Sequence, residues 1–354
     1  MIERRKIVEL WQRGDAVAMV TLVRVAGSSY RRVGARLLIA ANGDYAGSIS
    51  GGCLEAEVIR KAAWLVRDGA TVERYSTLFD DTAEIPYGLG CGGTVDLLIE
   101  PAGTPEFTTL MQALAASLQG ESFVMETILP SGGTPLRRTV QTGNWQLATG
   151  DSSSDNLRSQ AAGTIVEVIT PPQRLLIFGA GDDAQPMVRM AALLGWNVVV
   201  ADGRPQLARA DRFPEAERVL AGTSLDALQI TANDAAVIMS HSYEQDRAWL
   251  AALLPLHPRY LGLLGARHRS ALLVAEAAAI LGWDVARVCE GLFAPVGLDL
   301  GGDGAEAIAL ATVAEIQACS EGKLGVSRRM TPVLVAEQLA AGGASRYLQA
   351  QCAL

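Results

Sequence analysis

The hydrophobic positions of this chain change rhythm near its middle. Before residue 170 the apolar runs are short and mixed. Residues 17–25 and 36–40 read as strands, and Ala41-Asn42-Gly43-Asp44 is a hairpin-turn signal before Tyr45. A short helix over 5–14 precedes them. Residues 54–67 carry Leu54, Val58, Ala62 and Leu65 at helical spacing. Strands are predicted over 71–75, 94–100, 123–129, 137–140 and 164–169, with a helix over 110–118. After Pro171-Pro172 the style differs. Arg174-Leu175-Leu176-Ile177-Phe178 is a continuous apolar run, the pattern of a parallel strand buried on both faces. Strands over 197–201, 235–239 and 259–264 alternate with helical patterns, and further helices are predicted over 305–318 and 331–340.

This alternation predicts an α/β protein, with an N-terminal α+β lobe over 1–170, a Rossmann-like parallel-sheet domain over 174–320 and a C-terminal helical tail over 321–354. The second domain carries the sharper signal. Gly179-Ala180-Gly181-Asp182-Asp183-Ala184 follows a strand and opens a helix, which is the dinucleotide-binding turn in its required context. Asp202 closes the next strand, about 20 residues on, where a ribose-binding acid is expected. Asp182 and Asp183 place two acids at a helix start that would otherwise favour phosphate. They either turn away from it or stabilise the helix start themselves. At the carboxyl ends of later strands stand His241, within Ser240-His241-Ser242-Tyr243, and Arg267 and Arg269 after Gly265. Ligands bind at that edge of an open parallel sheet. The loop Ala294-Pro295-Val296-Gly297-Leu298-Asp299 reads as ligand-facing or as a plain turn into the next helix.

The first lobe carries a different chemistry. Ser50-Gly51-Gly52-Cys53 opens a helix, and Gly90-Cys91-Gly92-Gly93 precedes a strand. A cysteine at a glycine-rich helix start meets backbone N–H groups and the positive end of the helix dipole, which favour thiolate, the reactive and metal-binding form. Glycines beside both cysteines allow close approach of a ligand, and each cysteine alone reads equally well as a turn residue. Gly27-Ser28-Ser29-Tyr30-Arg31-Arg32 is a candidate anion loop or a solvated one. The acidic residues Asp80, Asp81 and Glu84 lack a fixed ligand spacing.

Bulk properties narrow the classes. The 354 residues are 49% hydrophobic and 19% charged, as in a packed globular protein, with length for two domains. A net charge of −8 argues against a nucleic-acid partner or an anionic membrane surface. The start, Met1-Ile2-Glu3-Arg4-Arg5-Lys6, lacks a signal-peptide pattern, and no apolar run is long enough to span a membrane. Five cysteines without a close C-x-x-C pair fit free thiols in a reducing compartment, so a cytoplasmic location is expected.

Gly27-Ser28-Ser29-Tyr30, Ser50-Gly51-Gly52-Cys53-Leu54-Glu55, Gly88-Leu89-Gly90-Cys91-Gly92-Gly93, Gly179-Ala180-Gly181-Asp182-Asp183-Ala184-Gln185-Pro186, Tyr260-Leu261-Gly262-Leu263-Leu264-Gly265 and Ala294-Pro295-Val296-Gly297-Leu298-Asp299 stand in an order that resembles the XdhC/CoxI family of xanthine dehydrogenase accessory proteins. The resemblance runs from about residue 15 to 320. It implies a carrier of the molybdenum cofactor, as molybdopterin or its cytosine dinucleotide form, with a nucleotide possible in the Rossmann domain. Such a carrier assists cofactor sulfuration and delivers it to a xanthine dehydrogenase-type molybdoenzyme. Its implied partners are that client, a cysteine desulfurase and a second copy of the chain in a homodimer. Cys53 and Cys91 become candidate molybdenum or sulfur ligands, with Ser50, Gly51, Gly52, Gly92 and Gly93 shaping the pocket. Gly179, Gly181, Asp202, His241 and Arg267 are the candidate cofactor contacts of the second domain. Asp182 departs from the family, which commonly has histidine there, and this adds negative charge at the turn. Two other readings stand beside it. One is an NAD(P)-dependent oxidoreductase on the Rossmann domain with His241 or Tyr243 facing the hydride. The other is a metal-binding or redox-sensing module using the two cysteines.

Overall fold

The computed structural model describes residues 1–26, 29–52, 54–76, 94–142, 157–160, 163–222, 224–325 and 331–340. The chain divides into two units, Met1–Pro172 and Gln173–Leu354.

The first unit runs α1 (Ile2–Gln12), β1 (Ala16–Ala26), β2 (Arg36–Ala40), β3 (Tyr45–Gly47), α2 (Glu55–Leu65), β4 (Thr71–Ser76), β5 (Thr94–Pro101), α3 (Pro105–Leu118), β6 (Phe123–Ile128), β7 (Arg137–Thr142), β8 (Leu157–Gln160) and β9 (Thr164–Ile169). Five strands form an antiparallel sheet in the order β3-β2-β1-β5-β4, and four form a second in the order β7-β6-β9-β8. The central strands β1, β2 and β5 are buried on both faces, which is why most of their positions are apolar. Met19, Leu38 and Ala40 pack with α1 and α3, while Ala18, Val20, Leu22, Leu37 and Ile39 pack with α2. Two buried ion pairs join the sheets. Arg138 of β7 meets Glu100 of β5, and Arg36 of β2 meets Glu167 of β9.

The second unit runs β10 (Arg174–Phe178), α4 (Ala184–Leu193), β11 (Asn197–Asp202), β12 (Arg218–Ala221), β13 (Ala235–Ile238), α5 (Tyr243–Leu253), β14 (Tyr260–Leu263), α6 (Arg267–Leu281), α7 (Val285–Glu290), α8 (Ala305–Ser320) and α9 (Pro332–Ala340). Its parallel strands lie in the order β12-β11-β10-β13-β14, reversing direction of growth at β10. This is the Rossmann arrangement, and the crevice where the order reverses is its ligand-binding position. Phe293 adds a parallel bridge to Gly262, in the place of a sixth strand. Leu175 and Ile177 face one core and Leu176 and Phe178 the other, so β10 is apolar at every internal position. Val335 of α9 is buried in the core formed with α6.

The sequence reading differs from this at several element ends, α1 (Ile2–Gln12 rather than 5–14) and α3 among them, and misses two strands and one α-helix. Helix α3 begins at Pro105, five residues before the predicted start. Thr104 accepts a hydrogen bond from the Phe107 N–H at 3.2 Å, and proline in the first turn lacks only an N–H that the helix would not use. Strands β8 and β12 and helix α7 were not predicted, because their short, partly polar segments carry no clear period.

Candidate functional site

In the first unit, the loop from Ser48 to Gly52 is wound around one carboxylate. Glu55, 6% exposed, accepts hydrogen bonds from the Ile49 N–H at 3.0 Å, the Ser50 N–H at 2.9 Å and the Gly52 N–H at 2.9 Å. The hydroxyls of Ser48 and Ser50 donate to it as well, the former at 2.8 Å. Ser48 Oγ also accepts from the Gly51 N–H and Ser50 Oγ from the Leu54 N–H. Burial pushes the Glu55 carboxyl up, but donors from Ser50 and Ser48 outweigh it and hold the group at about 2. Three N–H groups of the glycine loop are therefore taken by the chain's own anion. Gly51, at φ +85°, has the Tyr30 ring against it: an added Cβ would lie 2.6 Å from that ring. Tyr30 remains 74% exposed, and among the described residues beyond its chain neighbours nothing lies within 4 Å of the Cβ position of Gly52. An uncovered aromatic ring beside a bare glycine is a surface on which a planar heterocycle fits. Cys53, Cys91, Gly92 and Gly93 lie outside the described residues, as do Gly27, Ser28 and the acids at 80, 81 and 84.

In the second unit, Gly179 ends β10 at φ +136°, and a Cβ there would lie 2.4 Å from the Met239 carbonyl oxygen. Only glycine allows that crossing at the sheet's carboxyl edge. The Ala180 N–H donates to Asp202 Oδ2 at 2.7 Å. Arg204 fills the rest of that carboxylate, donating from its N–H at 2.9 Å, Nε at 2.8 Å and Nη2 at 2.7 Å. Each Asp202 oxygen thus takes two donors, leaving no capacity for a ribose hydroxyl. Burial pushes this carboxyl up, yet the Arg204 and Ala180 donors prevail and hold it below its usual value. The acid stands where the Rossmann pattern places it and is spent on structure.

The two turn acids separate. Asp182 turns outward, 93% exposed, to Arg212 at 2.7 Å; Arg212 also donates to the Ala180 carbonyl at 2.6 Å. Asp183 turns inward, 16% exposed. Its Oδ2 lies 2.6 Å from His241 Nε2, and its Oδ1 lies 2.6 Å from where a Cβ of Gly181 would stand. His241, just past β13, adopts φ +60°, a backbone state that side chains seldom occupy. Glycine turn, Asp183 and His241 thus meet at the point of strand-order reversal.

Arg267 is exposed at the start of α6. It is Arg269 that turns inward, donating to the buried Asp246 at 2.7 Å, and Asp246 accepts from the Ser240 N–H at 3.1 Å and from the Ser240 hydroxyl. Arg204 reaches the Ser240 carbonyl at 2.8 Å. Asp202, Arg204, Ser240, Asp246 and Arg269 therefore tie the ends of β11, β13 and β14 together. Arg204, Arg212 and Asp246 carried no local sequence signal; their roles come from neighbours distant in the chain. The loop at 294–302 is held from beneath, where Glu315 Oε2 accepts from the Gly297 N–H at 2.9 Å and the Tyr260 hydroxyl at 2.6 Å. Among the described residues no group of three His, Cys, Asp or Glu is placed to hold a metal ion. Of the two cysteines described, Cys289 is buried, and burial pushes its thiol up to about 11.

The molecule thus joins an α+β unit, bearing a carboxylate-centred glycine loop, to a Rossmann unit whose ligand edge carries internal ion pairs. Residues 175–316 match the family model of the XdhC Rossmann domain, and residues 10–76 match that of the XdhC and CoxI family. With one match in each unit, the chain belongs to the XdhC and CoxI family. It is 29% identical over 315 residues to a probable xanthine dehydrogenase subunit of Bacillus subtilis (strain 168), covering 85% of this chain and 92% of that protein. It is 28% identical over 317 residues to the molybdenum cofactor insertion chaperone PaoD of Escherichia coli (strain K12), covering 88% of this chain and 86% of that one. A crystal structure of a xanthine dehydrogenase from Bacillus halodurans superposes with a TM-score of 0.74 at 26% identity, over 91% of this chain and 96% of that chain.

Proposed function

We propose that this protein is a chaperone that binds the molybdenum cofactor, assists its sulfuration and delivers it to a xanthine dehydrogenase-type molybdoenzyme. The observation that carries the reading is the likeness over 88% of the chain to a protein named a molybdenum cofactor insertion chaperone. The geometry of the first unit supports it: the exposed Tyr30 ring and the open face of Gly52 suit a flat pterin, beside a loop whose shape Glu55 fixes. In this reading Cys53 and Cys91 offer soft thiolate ligands to molybdenum or carry its sulfur. Ser50, Gly51, Gly52, Gly92 and Gly93 shape the pocket. Once delivered, the cofactor supplies the redox centre of the client enzyme. A cysteine desulfurase is the proposed sulfur source, and the protein works as a cytoplasmic homodimer. Among the described residues no helix is long and apolar enough to cross a membrane.

The nicotinamide reading keeps the strand order of the second unit in its favour, but its ribose acid, Asp202, is fully occupied.

The test is the molybdenum and pterin content of the purified protein after anaerobic incubation with molybdenum cofactor, beside Cys53→Ser and Cys91→Ser. Stoichiometric loading that falls in either variant supports the reading and its ligands. Loading that survives both substitutions removes the cysteines and keeps the carrier. An unloaded wild-type protein overturns the proposal.

A further inference from the structure

We infer that Asp183 is the residue that decides what the glycine turn of the second unit accepts, and that it closes the turn to nucleotide phosphates. In a Rossmann turn the second glycine stays bare so that the pyrophosphate can approach the backbone. Here that glycine is Gly181, and its bare face is covered: Asp183 Oδ1 lies 2.6 Å from the position a Cβ would take. The covering group is an anion, so it excludes phosphate by charge as well as by volume.

His241 holds the cover in place. An ionised carboxylate only accepts hydrogen bonds, so Nε2, 2.6 Å from Asp183 Oδ2, is the protonated nitrogen. The imidazole reaches this position from a left-handed backbone, φ +60°, at the end of β13. The cover is therefore clasped from across the crevice by a different strand end.

Three arginines around the crevice are already committed to the chain's own acids. Arg212 is engaged by Asp182, Arg204 by Asp202 and Arg269 by Asp246. The ribose acid is likewise occupied, so both recognition points of a dinucleotide are filled by the chain itself. This inference concerns the second unit alone and stands apart from the molybdenum reading.

Asp183 makes no side-chain cap bond to α4, and its backbone is helical, so its replacement is expected to preserve the helix start. The experiment is calorimetric titration of ADP and of NADH into the full-length wild type, Asp183→Asn and Asp183→Gly. Asparagine keeps the volume and removes the charge, whereas glycine removes both. The expected result is no measurable binding to the wild type, with binding gained in Asp183→Gly and tightened at least about tenfold beyond the wild-type limit. Gain in Asp183→Asn as well assigns the exclusion to charge; gain in glycine alone assigns it to volume. Adding Gly181→Val to Asp183→Gly cancels the gain and locates it at the turn. Tight binding of either nucleotide to the wild type overturns the inference. So does the absence of any gain in a folded Asp183→Gly protein, with folding read by circular dichroism.

Discussion

Glu100 and Arg138 face each other between the two sheets of the first unit, 0% and 2% exposed, joined by parallel hydrogen bonds of 2.9 and 3.0 Å. The same Arg138 Nη1 donates to the Glu106 carbonyl at 2.7 Å. A buried pair of this kind adds little over an apolar pair of equal volume, but a buried charge left alone is costly. Arg138→Met is expected to lower stability by about 3–5 kcal/mol, and adding Glu100→Leu to restore most of it. Amide hydrogen exchange in β5 and β7 is the readout, because unfolding of a two-unit chain need not be two-state. Equal protection in Arg138→Met and the wild type would refute the expectation.

Glu55 makes the glycine loop sensitive to acid. Its carboxyl lies at about 2 in the folded protein against a usual 4.5, so its contribution is complete above that usual value. The contribution is lost as pH falls through about 2. Glu55→Gln, which cannot accept all of these bonds, is expected to cost about 2 kcal/mol at neutral pH. Thermal melts across pH check this: the gap between wild type and variant should narrow steadily below pH 4.5. A gap independent of pH would disprove it.

Asp202 follows the same sign. Its carboxyl is held below the usual 3.8, so the clasp with Arg204 and Ala180 stabilises the second unit above that value and weakens as pH falls past it. Asp202→Ala leaves the Ala180 N–H and the Arg204 guanidinium without their acceptor, a loss of about 2–3 kcal/mol. Exchange of the Ala180 amide should quicken in the variant; unchanged exchange would contradict the role assigned to the acid.

Tyr260→Phe tests the support beneath the loop at 294–302. It removes the hydroxyl that donates to Glu315 and preserves the stacking on Phe293, whose ring centre is 4.4 Å away. About 1–2 kcal/mol is expected to be lost, with faster exchange at the Gly297 amide that shares the same carboxylate oxygen. If only the melting temperature moves and Gly297 stays protected, Glu315 does not hold the loop through this oxygen.

Local signals and distant ones were legible to different degrees. The turn Gly179–Ala184 was readable because an apolar run, two glycines and a helix start are all written within a few residues. Asp202 was placed correctly at the strand end, but its occupation by Arg204 was not, since an acid reads the same whether a ligand or the chain satisfies it. The same limit applied at Glu55. The glycine loop before it reads as N–H groups facing a thiolate or ligand, and those of Ile49, Ser50 and Gly52 point at Glu55 instead. Of the two turn acids, sequence offered both escape and helix stabilisation. Asp182 escapes to Arg212, while Asp183 finds His241, a pairing that only the return of the chain at β13 creates.

The burial of Val335 in the second unit's core has a consequence for synthesis. That core is started by β10 and reaches completion only when α9 packs on α6 and α7. On the ribosome the sheet emerges well before the helix that covers part of its core. The nascent second unit therefore passes through a stage with an uncovered apolar surface, which a chaperone can hold and a premature stop before residue 332 would make permanent.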